Sequence, residues 1–149
     1  MPKDFEHLLQ NIEVKAPRRV WAAPKAPVYD CIGELKAKFN FDHLCTITGL
    51  ENGENFEILY HLSRQNGTLL TLRDTIKIEG AKTKSITPLF QSAIWYEKEI
   101  NDLLGVEFEG LPQAARYPLP DEWPQGDHPL RKNWQPADHC GVTPKTEAE

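Results

Sequence analysis

The sequence predicts an α+β chain: a two-layer domain whose antiparallel or mixed sheet, built around a β-meander, is covered by helices, followed by an extended arm. Three observations carry this. Residues 44–76 alternate apolar and polar side chains in runs separated by Asn52-Gly53 and Asn66-Gly67, the strongest short-range hairpin signal. Two flanking segments, 27–39 and 87–105, space their apolar residues at three- and four-residue steps, one face of a helix. Seven of the twelve prolines fall after Gly110. The domain is therefore assigned to residues 1–110 and the arm to 111–149.

Taken in order, Asp4 is placed to cap a short helix carrying Phe5, Leu8, Leu9 and Ile12. Residues 18–22 read as a short strand between Pro17 and Pro24. Val28, Cys31, Ile32, Leu35 and Phe39 share one face of the next helix, which Asn40 stops. The meander follows: a run around 44–50, then Phe56, Ile58, Tyr60 and Leu62 on one face, then Leu70 and Leu72. Residues 76–85 form a polar connector.

The 87–105 stretch is the longest helical signal. Thr87 suits the N-cap, Pro88 the first turn, and Gly105 a left-handed ending. Leu89, Ala93, Tyr96, Ile100 and Leu103 mark its apolar face. Glu97 falls inside that apolar arc, where a carboxylate needs a partner or a proton. Trp95 points out among Lys98, Glu99 and Asp102, the position of an interface anchor. Glu99 and Asp102 repel each other, and Asp102 sits at the electronegative helix end, so both call for cations.

Composition excludes several function classes. The chain has 149 residues, a net charge of -5 and no block of Lys and Arg, which argues against nucleic-acid binding. No apolar run has the ~18–20 residues that cross a bilayer, and no signal layout opens the chain, so a cytoplasmic location without membrane insertion is expected. Three cysteines without a Cys-x-x-Cys pair exclude a disulfide framework and a self-contained four-cysteine iron–sulfur cluster; Cys31 and Cys45 read as core residues. The arm is too rich in Tyr117, Leu119, Trp123, Leu130 and Trp134 for a free linker, and its last residues, 142–149, are expected to be disordered.

The run WYEKEINDLLGVEFEG, then PLPDEW and HPLRKNW, resembles the thirty-kilodalton hydrophilic subunit family of respiratory complex I, the C subunit of NADH-quinone oxidoreductase. It also resembles the matching subunit of energy-converting membrane-bound nickel–iron hydrogenases. Trp95, Glu97-Lys98-Glu99, Asp102, Gly105-Val106-Glu107-Phe108 and Pro129-Leu130-Arg131-Lys132 stand in the family's order. Departures are Lys98 for the triplet's Arg, Leu104 before the turn glycine, Leu111 in the Gly-His-Pro place, a double Arg thinned to Arg116, and Asn133-Trp134 at the end. With the short length, these favour the hydrogenase-type complex over an NADH dehydrogenase.

The resemblance implies a subunit of an oxidoreductase complex that is itself non-catalytic, with no catalytic, cofactor-binding or metal residue and no cofactor. It would sit peripherally on the inner face of the cell membrane, beside a hydrogenase-like large subunit and an iron–sulfur small subunit. Glu97 and Glu99 are expected to neutralise Arg116, Arg131 and Lys132, clamping the arm onto the helix and turning Trp95, Trp123 and Trp134 towards neighbours. Two rivals stand beside it. An independent enzyme would draw on Asp127, His128, Asp138, His139 and Cys140, whose spacing matches no zinc pattern. An adaptor would bind unrelated proteins through the arm.

Overall fold

Strict alternation sets the centre of the sheet. Phe56, Ile58, Tyr60 and Leu62 are fully buried on one face of a central strand, beside Leu70 and Leu72 of the next. In the computed structural model, which describes residues 4–112 and 116–136, the strands are β1 (Leu9–Ala16), β2 (Arg19–Pro24), β3 (His43–Asn52), β4 (Asn55–Ser63) and β5 (Leu69–Lys77). They form a mixed sheet in the order β1-β2-β5-β4-β3. The meander is antiparallel as expected, whereas β2 runs parallel to β5. Helices α1 (Val28–Phe39) and α2 (Ala93–Leu104) carry the other half of the core. Cys31 is buried in it, and burial pushes its thiol up to about 11.

Several expectations are corrected. The first helix is only a 3-10 turn, Glu6–Leu8, and the chain then enters β1. Phe5 is drawn into the core edge-on to Phe41 and Phe39, while Ile12 and Val14 stay exposed on the strand. The first hairpin loop is Gly53-Glu54, since Asn52 still pairs with Asn55; only the glycine has positive φ. The polar connector contains β6 (Lys82–Lys84), which pairs in parallel with β7 (Glu107–Glu109) just after α2.

The largest correction concerns α2, which begins at Ala93 rather than Thr87. Residues 87–92 form successive turns, among them Leu89 N–H to Ile86 O and Ala93 N–H to Phe90 O. The hydroxyl of Thr87 does not cap the helix because it bonds to Ser85 and Glu97 instead. Gly105 ends α2 at φ 81, as the sequence predicts. At its other contact α2 lies almost on the backbone of β3. A Cβ at Gly49 would come within 2.8 Å of Leu104 Cδ1 and 3.1 Å of Ile100 Cγ2, so a larger residue would force these side chains to shift.

Candidate docking surface

The C-terminal carbonyls of a helix lack intrahelical partners, and burying them unpaired is costly. In α2 the arm supplies the missing donors one after another. Gly105 N–H bonds to Asn101 O at 2.9 Å, the turn's own closure. His128 Nδ1 bonds to Asp102 O at 2.8 Å, Leu130 N–H to Leu103 O at 3.0 Å, and Arg131 Nε to Leu104 O at 2.8 Å. The Arg131 cation thus sits at the negative end of the helix dipole, with its guanidinium 5.7 Å from the Phe56 ring centre. Lys132 N–H reaches Glu51 Oε2 at 2.9 Å, tying the arm to β3. The arm is clamped to the long helix, but mostly through main-chain carbonyls.

Gly105 serves this geometry in two ways. A Cβ there would lie 2.5 Å from His128 Nε2 and 2.6 Å from Arg131 Nη2. The same glycine therefore supplies the left-handed φ and the room for the arm.

The acidic residues resolve differently from expectation. Glu97 is fully buried and, among the described residues, meets no cation of the arm. Ser85 Oγ donates to Oε2 at 2.6 Å, Ile86 N–H to Oε1 at 2.7 Å, and Thr87 Oγ1 to Oε2 at 3.2 Å. Three neutral donors converge on this one carboxyl group. Burial raises its pKa, and these hydrogen bonds partly offset the rise. Glu99 stays exposed on α2. Asp102 is buried, with Arg116 Nε at 3.5 Å from Oδ1. Lys98, expected on an open polar face, is buried too, its ammonium 5.6 Å from the Trp95 ring centre.

The aromatic anchors divide. Trp95 is 55% exposed and meets Tyr117 edge-on at 5.3 Å. Leu130, next to Pro129, is 58% exposed. Trp123 and Trp134 instead stack on each other at 6.3 Å, half-buried, so they brace the arm and do not face outward as expected. Arg116 Nη1 bonds to Trp123 O at 2.6 Å, and Trp123 Nε1 to Asp127 O at 3.1 Å. His128, Glu51 and Ser85 are the contributors not picked out as partners from the sequence. The readable signal was a helix ending at Leu104-Gly105, whose carbonyls had to find donors.

A cleft of about 660 Å³ beside the start of α1 mixes Arg73, Lys82 and Lys84 with Asp30, Asp74 and Glu109. No three His, Cys, Asp or Glu side chains of the described residues are grouped to hold a metal, and no helix there is long and apolar enough to cross a membrane. Asp138, His139 and Cys140 lie outside the described residues.

Residues 21–139 match the profile of the respiratory-chain NADH dehydrogenase 30 Kd subunit. The chain belongs to that family. The C subunit of the F(420)H(2) dehydrogenase of Methanosarcina mazei is 27% identical over 135 residues, covering 88% of this chain and 85% of the relative. Formate hydrogenlyase subunit 5 of Escherichia coli is 35% identical over 81 residues, covering 53% of this chain but only 14% of that much longer protein. A chain of the membrane-bound sulfane sulfur reductase, an archaeal respiratory membrane complex, superposes with a TM-score of 0.79 at 22% identity, covering 91% of this chain and 84% of its own. That likeness establishes the shared fold.

Proposed function

We propose that this chain is a non-catalytic docking subunit in the peripheral arm of a membrane-bound energy-converting complex of the hydrogenase type. It would lie on the cytoplasmic side and pack against the large catalytic subunit and the iron–sulfur small subunit. The observation that carries the reading is the division of labour around α2. Its C-terminal carbonyls hold the arm in place, while Trp95 of the helix and Tyr117 and Leu130 of the arm stay exposed. Large aromatic side chains held by a rigid scaffold are what binding interfaces use as anchors. Exposed aromatic side chains in mutual contact, as Trp95 and Tyr117 are, form part of a contiguous patch of the kind that marks an interaction site.

The relatives named above belong to dehydrogenase and hydrogenlyase systems, and the chain that shares the fold comes from a respiratory membrane complex; together these support membership of a multisubunit redox assembly. Affinity purification of the tagged chain from native membranes tests this. Stoichiometric recovery of an iron–sulfur subunit and a large subunit with bound nickel is expected. A second reading, the same subunit in a dehydrogenase complex, is favoured by the match along most of the F(420)H(2) dehydrogenase relative. Recovery of an equivalent assembly lacking nickel would select it. Recovery of the chain alone would remove both.

A further inference from the structure

The sheet has two outer strands, and the sequence treats them differently. β1 is defended against pairing: its ladder with β2 is interrupted twice, Asn11 takes φ 51, and Glu13 and Lys15 place charges along it. Bulges and charges are the usual means of keeping a free edge from recruiting another strand. β3 is the opposite outer strand, and its only strand partner among the described residues is β4. After one irregularity between Leu44 and Thr46, it runs through Thr46-Ile47-Thr48-Gly49-Leu50 without charge, proline or bulge. Half the backbone N–H and C=O groups of such a strand face outward.

Beside this edge runs a groove of about 270 Å³, between β3 and α2. Its apolar lining includes Ile47, Gly49, Ile100, Leu103 and Leu130, and Glu99 is the one charged residue lining it among the described residues. Exposed Leu130, which lines it too, makes it continuous with the docking surface. Strand addition to a sheet edge draws affinity from main-chain hydrogen bonds and specificity from pockets that take alternate side chains.

We propose that β3 is a strand-acceptor site: an extended segment of a partner subunit pairs with Thr46–Leu50. The segment places an apolar side chain in the groove and a lysine or arginine against Glu99. This rests on the reading of the chain as a docking subunit, and it adds which edge is used and what the partner segment must contain.

The test uses the full chain within its assembly. Backbone hydrogen exchange of residues 46–50 is compared between the isolated chain and the purified complex, and a photocrosslinking side chain is placed at exposed Thr48. Slowing of exchange by at least tenfold at alternate amides, with crosslinks to one partner segment carrying a basic residue, is the expected result. Glu99→Lys should then lower recovery of the partner about tenfold while its melting temperature stays that of the wild type. Unchanged exchange in an intact complex would overturn the strand-acceptor site and leave the docking reading standing. Crosslinks from Thr48 to a second copy of the chain would overturn it in favour of self-pairing. If no complex forms at all, the docking reading fails and this site with it.

Discussion

His128 donates from Nδ1 to the carbonyl oxygen of Asp102 across 2.8 Å, so the ring's proton must reside on Nδ1. That bond opens a series of three in which the arm closes the end of α2, and it gives the arm a register relative to the helix.

Gly105→Ala should therefore act twice. A left-handed φ costs a non-glycine residue about 1–2 kcal/mol, and the added methyl group collides with His128 and Arg131. The expected outcome in thermal unfolding is a loss above that range, with faster proteolysis between 116 and 136. A loss confined to about 1 kcal/mol with the arm still protected would mean that the arm yields easily.

Arg131→Ala removes a charged donor from Leu104 O and the contact over Phe56. A hydrogen bond with a charged partner contributes about 1.5–3 kcal/mol, and denaturant unfolding should show a loss in that range. Arg131→Lys should recover only part of it, because a point charge replaces a planar fork.

Glu97→Gln and Arg131→Ala should be additive within about 0.5 kcal/mol, since the two side chains share no partner and lie about two helical turns apart. This reverses the direct clamp expected from charge alone. A coupling above about 1 kcal/mol in the double-mutant cycle would restore it.

Stability should fall as pH rises through the Glu97 carboxyl. Its folded pKa lies above the ordinary 4.5, so the folded state holds the proton more tightly than the unfolded state. The contribution is complete below 4.5 and is lost as pH climbs through the raised value. Asp74 acts in the same sense, because burial raises its carboxyl above the ordinary range as well. Urea unfolding between pH 4 and 8 checks this: Glu97→Gln, which keeps an acceptor for Ile86 N–H, should flatten the slope. A wild-type curve that rises across that window would contradict it.

Much of this was legible beforehand. Alternation at Phe56–Leu62 and the Gly105 stop follow from local periodicity and φ, and both hold in the structure. The outward position of Trp95 follows from helical spacing in the same way. The start of α2 was not legible. Thr87-Pro88 is a good cap in isolation, but a carboxyl ten residues later takes the hydroxyl. The partners of Arg131 and Lys132 were missed for a related reason. Charge complementarity pointed to carboxylate side chains, whereas Arg131 served a main-chain carbonyl, and Lys132 reached Glu51 through its backbone N–H.

The decisive measurement is subunit stoichiometry in material purified from native membranes through this chain, comparing wild type with a Trp95→Ala, Leu130→Ala variant. Both side chains are mostly in water, so the variant should fold with an unchanged melting temperature. Wild type should bring down its redox partners at one copy each, and the variant should come down alone. A variant that retains the full assembly, or a wild-type chain that is always recovered by itself, would contradict a role in docking.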